Sequence, residues 1–439
     1  MVSKKQRFKT VVLVLVFALA IIGGVFGISY YKGILTFPWQ VTEASVASKE
    51  VAQQPETAQT EEVTTTEQVK EEPAEEATKE EVVKEEKPEK KDKSETAKTE
   101  DAEDEVSEES QETSEEDADS NVATTGNTLD YYGALHVEDG SLVDEAGDAV
   151  QLTGVSSHGL SWYPEYVTAE SIKSLRETLG INVIRLAVYT SDYNGYCVGG
   201  EEIQSVIKDN IDEAIKAATA SDMYVILDWH ILNDGDPNEY KSEAIQFFGE
   251  MVRKYEDNEN VIYEICNEPN GDTTWADIKK YAKEVIPVIR NVNKDALILV
   301  GTPEWSSDLD SVLEDPLDFD NIMYTYHFYA GSHKASARNT LTNALESGLP
   351  VFISEYGFTA ADGDGAIDKK EAAKWLEIID EFKLSSCIWN LSNKDEGSAL
   401  IANDCDKTSD FEYEDFSEQG KYFFDILKET NGNDNQRED

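Results

Sequence analysis

Three observations predict an α/β protein, a (β/α)8 TIM barrel. Eight β-rich apolar runs alternate with helical patterns between residues 151 and 391. Many of these runs are apolar on both faces, as parallel strands covered by helices are. Polar residues gather at their C-terminal ends, where a barrel of this kind carries its site.

The elements follow in order. GALHVEDGSLVDEAGDAVQL, residues 133–152, alternates apolar with polar residues and is broken by Gly turns, which predicts a short hairpin. Strands are expected over 151–156, 181–189, 223–230, 260–267, 296–301, 321–329, 350–355 and 384–391. Helical patterns occupy 200–220, 238–256, 275–291, 335–347 and 368–382, and residues 418–429 close the set.

Two segments precede the barrel. Residues 1–40 carry Lys4, Lys5, Arg7, Lys9 and Lys32 and no acid, and residues 11–31 are free of charge. That run is long enough to span a bilayer, and the lysines ahead of it keep that end in the cytoplasm. An uncleaved anchor at the cell membrane is the expectation. Cleavage near Ser45-Val46-Ala47, giving a secreted protein, is the alternative. Residues 41–126 hold 29 acids and nine lysines with few aromatics. Such a segment cannot bury enough apolar surface to offset chain entropy, so a disordered acidic stalk is expected. The catalytic barrel is assigned to residues 127–439.

The formal net charge of −52 argues against nucleic acid as a partner and disfavours self-association, so a monomer is expected. Cys197, Cys266, Cys387 and Cys405 show no CxxC pattern and no paired His spacing, so no metal cluster is expected. Cys266 and Cys387 lie in apolar runs and read as core residues. Cys197 and Cys405 lie in polar loops, and whether they pair is left open.

The strand ends carry the chemistry. The first leads to His158, with Trp162 and Tyr163 beyond. The second carries Arg185 and Tyr189, and the third ends in Asp228-Trp229-His230. The fourth ends in Asn267-Glu268-Pro269, and the fifth leads to Trp305. The sixth ends in Tyr326-His327-Phe328-Tyr329, the seventh in Glu355-Tyr356-Gly357, the eighth in Trp389-Asn390. Glu268 and Glu355 each close an apolar run, where an unpaired carboxylate is costly unless the site uses it. Two such carboxylates are the equipment of acid/base and nucleophilic work on sugars. The exposed indoles expected at Trp162 and Trp305 suit the apolar faces of glucose rings.

These residues, in this order, resemble glycoside hydrolase family 5. The resemblance runs through VQLTGVSSHGLSW, INVIRLAVY, YVILDWH, NEP, YTYHFYAG, VFISEYG and WNLSNKDEGSAL. It covers about residues 130–430 and looks closest to the bacterial endo-β-1,4-glucanase subfamily. It implies a retaining glycosidase without cofactor, acting on β-1,4-glucan. Glu268 would be the acid/base and Glu355 the nucleophile. Arg185 and Tyr329 would hold the nucleophile ionised, and His327 would lie beside the acid/base. Asn267 would bond the sugar 2-hydroxyl. His158 and His230 would line the subsite of the cleaved sugar, with Tyr189 among the substrate contacts. Trp389 would be the stacking platform, with a following peptide bond that is often cis in the family. Lys394 and Glu396 would bond sugar hydroxyls on the non-reducing side.

Three other readings stand beside this one. A β-mannanase or a mixed-linkage glucan or xyloglucan hydrolase would share the machinery. An inactive polysaccharide-binding surface protein would share only the cleft. A metal-dependent hydrolase would need a ligand cluster that the histidines, spread over separate strands, do not announce.

Overall fold

The computed structural model describes residues 128–434. The anchor and the whole of the segment assigned to the stalk lie outside the described residues. Among the described residues no helix is long and apolar enough to cross a membrane.

A two-stranded antiparallel hairpin, β1 (His136–Glu138) and β2 (Ser141–Val143), precedes the barrel. The barrel strands are β3 (Thr153–Ser157), β4 (Val183–Tyr189), β5 (Tyr224–His230), β6 (Val261–Glu264), β7 (Ile298–Val300), β8 (Ile322–Tyr329), β9 (Val351–Gly357) and β10 (Ser386–Leu391). They close in sequence order, β10 pairing with β3, and every pairing is parallel. The expected eight-stranded barrel is therefore present. The strand expected over 260–267 is shorter than its apolar run, and Asn267 and Glu268 stand just past its end.

Strand alternation sorts each strand into an outward apolar row and an inward functional row. On β5, Val225, Leu227 and Trp229 pack outward against the helices. Tyr224 and Ile226 belong to the core at the N-terminal end of the barrel, where the hairpin's Leu142 also packs. Above them on the same row come Asp228 and His230. β4 repeats the scheme: Val183 lies in the lower core, then comes Arg185, and Ala187 and Tyr189 reach the mouth. On β8 the inward row starts at Met323 and ends at Tyr329. The barrel thus has an apolar floor, a charged middle and an aromatic rim.

Helices surround the strands at Ala169–Leu179, Gly200–Ala220, Lys241–Lys254, Trp275–Arg290, Ala335–Glu346, Lys369–Glu381 and Glu418–Asp434. The first of these was not predicted. Its signals are the cap Thr168, which accepts from the Ser171 N–H, and Gly180 in the left-handed conformation that ends it. All four cysteines are free. Cys405 Sγ lies 3.7 Å from Asp415 Oδ1, and Cys266 and Cys387 are buried.

Gly301, just after β7, has no room for a side chain. A Cβ there would collide with the Cys266 carbonyl oxygen and lie 2.9 Å from that of Asn267. Gly301→Ala should therefore lower stability by about 1–3 kcal/mol, the usual cost of overpacking, in urea or thermal unfolding. It should also lower activity, because the backbone it displaces carries Glu268.

Candidate active site

Arg185 is the hub of the site and is fully buried. Its Nε and Nη2 donate to the two oxygens of Glu264 at 2.7 and 3.2 Å. Nη2 also meets Asp228 Oδ2 at 3.1 Å and Asn267 Oδ1 at 2.6 Å. Nη1 donates to Glu355 Oε2 at 3.0 Å. Burial opposes its charge, but Asp228, Glu264 and Glu355 outweigh burial and raise its pKa well above the usual value.

The two predicted carboxylates converge here. One ligand atom of each of Glu268, His327 and Glu355 lies within 4.8 Å of the other two. Retaining glycosidases need carboxyl groups about 5–5.5 Å apart, whereas inverting ones need about 6.5–9.5 Å. Their environments differ. Glu355 takes Arg185 on one oxygen and the Tyr329 hydroxyl, at 2.6 Å, on the other. Glu268 has His327 Nδ1 at 2.9 Å and, among the described residues, no direct cation. Burial raises its pKa to about 8, with Asp228 and Glu264 adding to the rise and Arg185 opposing it. Burial likewise holds His327 down to about 4 and lifts Asp228 to about 7 against the pull of Arg185.

The histidines stand on separate strands as expected, but one of them, His327, joins both glutamates, because β8 and β9 pair it opposite Glu355. A cation could touch all three groups. Their facing atoms are already engaged, however: Glu355 by Arg185 and Tyr329, and His327 Nδ1 and Glu268 Oε1 by each other at 2.9 Å. Donors this fully used, beside a buried guanidinium, fit acid/base chemistry better than a resident metal.

Most of the remaining predicted residues form the rim. His230 Nδ1 faces Asp228 Oδ2 at 2.7 Å. Its ring lies against Tyr189, centroids 4.1 Å apart, and stacks with Trp389 at 5.3 Å. His158 packs 5.2 Å from Trp389, and its Nδ1 accepts from the Gly159 N–H. The Trp389–Asn390 bond is cis. Trp162 is half-buried rather than exposed; its indole N–H donates to the Tyr193 carbonyl and its ring lies against Tyr189. Lys394 pairs with Glu396 at 2.7 Å, and Glu396 accepts from Asn390 Nδ2. Lys394 and His230 also help burial to hold His158 down to about 3. Asn267 Nδ2 donates to the Ile231 carbonyl at 3.0 Å and meets His230 Nε2 at 3.3 Å.

Trp305 stands apart from that rim and is 53 % exposed. It sits in a turn where Glu304, Trp305 and Ser306 have φ of 55, 56 and 54°. Its N–H donates to the Pro269 carbonyl, and Ser306 Oγ donates to that of Asn267 at 2.6 Å. Sequence reasoning missed this turn, and it missed the roles of Glu264, Asp228 and Ser354. An acid inside the apolar run VIYE was the available signal for Glu264.

Buried, unequal carboxylates at the C-terminal mouth of a (β/α)8 barrel, under an aromatic rim, define a glycosidase of the two-carboxylate class. The family model "Cellulase (glycosyl hydrolase family 5)" matches residues 143–395, and the chain belongs to that family. It is 60% identical to Endoglucanase A of Butyrivibrio fibrisolvens over 99% of this chain and 96% of that one. It is 42% identical to an endoglucanase of Clostridium saccharobutylicum over 67% of this chain and 65% of that one. Among solved structures, the catalytic domain of Thermobifida fusca endoglucanase Cel5A in complex with cellotetraose aligns with TM-score 0.65 and 36% identity. That alignment covers 69% of this chain and 100% of that one.

Arg185→Met would leave three buried carboxylates without their cation, a change that costs about 3–5 kcal/mol. Burial already lifts Asp228 and Glu264 above their unfolded values. A group shifted that way stabilises at low pH and loses the contribution as pH rises through its folded pKa. The variant's deficit should therefore grow as pH rises through about 7 and shrink on acidification, as read from urea unfolding across pH.

Proposed function

We propose that this chain is a retaining endo-β-1,4-glucanase that cleaves internal bonds of soluble or amorphous cellulose. The observation that carries the reading is the close pair Glu268 and Glu355 in unequal surroundings. Its relatives are named endoglucanases, and one solved relative holds cellotetraose.

Glu355, which accepts from Arg185 on one oxygen and from the Tyr329 hydroxyl on the other, is the nucleophile on the anomeric carbon. Glu268, protonated at neutral pH, gives its proton to the leaving sugar oxygen. The covalent glycosyl-enzyme neutralises Glu355, which removes a neighbouring negative charge and lowers the proton affinity of Glu268. Glu268 then takes a proton from water, and that water releases the sugar. Asn267 reaches a sugar hydroxyl by giving up its long contact with His230. Trp389, flanked by His158 and His230, is the floor under the cleaved sugar. Lys394 and Glu396 hold the chain on the non-reducing side. Trp162 is a wall of the cleft, and Trp305, tied to Pro269, serves the leaving side.

The substrate test is viscosity loss against reducing-end release on carboxymethyl cellulose, beside glucomannan and galactomannan. Fast viscosity loss on the cellulose derivative is expected; action on the mannans alone would make the enzyme a mannanase. Because Glu268 titrates near 8, kcat/KM should fall as pH rises through about 8. That limb should vanish in Glu268→Gln, whose glucan turnover should drop about 10²–10⁴-fold while activated aryl glycosides suffer less. Glu355→Ala should abolish turnover and keep glucan binding. Azide should restore a reaction with inverted product; failure of azide with all substrates would remove Glu355 from the nucleophile's role.

The location is also proposed. Residues 11–31 read as an anchor and residues 41–126 as an extended acidic stalk holding the barrel at the outer face of the cell membrane. Activity should sediment with membranes and be released by brief proteolysis. Full activity in the unproteolysed soluble fraction would point to a cleaved, secreted form.

A further inference from the structure

One buried carboxylate has no part in the scheme above. Glu264, at the end of β6, is fully buried. A hydrogen-bonded chain runs from it to the acid/base residue. Glu264 Oε1 meets Ser354 Oγ at 2.7 Å, Ser354 Oγ meets His327 Nε2 at 2.9 Å, and His327 Nδ1 meets Glu268 Oε1 at 2.9 Å. The links come from β6, β9 and β8.

The chain has a direction. Both oxygens of Glu264 face N–H groups of Arg185, at 2.7 and 3.2 Å, which holds Glu264 as the anion. A carboxylate can only accept. Ser354 must then donate to Glu264 and accept from His327 Nε2–H. His327, driven neutral by burial, has one ring proton, so its Nδ1 is bare. The only proton that can fill the last link is on Glu268. Reversing the chain moves one proton from Glu268 to Nδ1, one from Nε2 to Ser354, and one from Ser354 to Glu264. That transfer would neutralise the anion that Arg185 holds.

We propose that Glu264 is a positioning residue that acts through Ser354 and His327 to keep the proton on Glu268 in the resting enzyme. The proposal rests on Glu268 being the acid/base residue. The other charged and titratable groups around Glu264 are Arg185 on β4, Asp228 on β5, Cys266 on its own segment, Glu355 on β9 and Cys387 on β10. Those around Glu268 are Arg185, Asp228, Glu264, His327, Glu355, Tyr329 and Tyr189. None of the others reaches Glu268 through hydrogen bonds that assign its proton.

Ser354→Ala cuts the chain without touching Arg185, and it is the primary variant. Glu264→Gln reverses the chain, because its amide donates to Ser354. For each, kcat/KM is measured against pH on cellotetraose and on 2,4-dinitrophenyl cellobioside, whose leaving group needs no acid. The alkaline limb should move to lower pH by about one unit or more. At neutral pH the cellotetraose rate should drop about tenfold or more, with a much smaller change on the dinitrophenyl glycoside. Ser354→Thr, which keeps the hydroxyl, should restore the limb. Equal losses on both substrates with an unmoved limb in Ser354→Ala would overturn the proposal, leaving the chain a purely structural tie. If Glu264→Gln does not fold, Ser354→Ala and Ser354→Thr decide the matter alone. A wild-type protein inactive on both substrates would instead overturn the glucanase reading, and this inference with it.

Discussion

A single guanidinium sits among three carboxylates in a space without water's dielectric, and the site is organised around that imbalance. Arg185 touches Asp228, Glu264 and Glu355, and Glu268 lies just beyond. Burial keeps His230 and His327 neutral, so they contribute no charge. The cluster therefore cannot ionise completely. Protons must stay on some of its acids, and hydrogen bonds decide which. Glu355 has the direct cation and the phenol, whereas Glu268 has an imidazole. Two glutamates of identical chemistry are made different by what each one touches.

The barrel makes this possible at tolerable cost. Parallel strands closed in order bring the inward rows of β4, β5, β6, β8 and β9 to one depth, so the charges meet each other rather than hydrocarbon. Below them the apolar floor, sealed by the hairpin, carries the packing. Above them His158, Tyr189, His230 and Trp389 form a rim that is apolar in its faces and polar at its edges. Such a charged layer would be destabilising if any partner were missing, and its members stand or fall together.

The barrel and the converging pair of buried glutamates were legible because both are written in local pattern. Strand periodicity, helix length and an acid closing an apolar run all survive in a single sequence. The chain from Glu264 through Ser354 and His327 was not legible, because it is assembled from three strands and depends on register. Ser354 reads as an ordinary small residue before Glu355 until β9 is laid beside β8. The helix at 169–179 was missed although Thr168 and Gly180 bracket it. The half-buried state of Trp162 depends on the Tyr193 carbonyl, 31 residues away. Loop-to-loop contacts of that kind leave no periodic trace.

The turn at Glu304–Ser306 has a mechanical meaning. Three successive residues with side chains adopt the left-handed conformation, each at a cost of order 1–3 kcal/mol in the general case. The fully buried Ser306 hydroxyl clamps them, donating to the Asn267 carbonyl and receiving the Thr302 N–H and the Thr325 hydroxyl. The backbone of Trp305 is fastened to Pro269 in the same way. The turn behaves as a loaded spring whose catch is the segment bearing Glu268. The exposed indole and the acid are thus carried on two segments that hydrogen bonds hold as one piece.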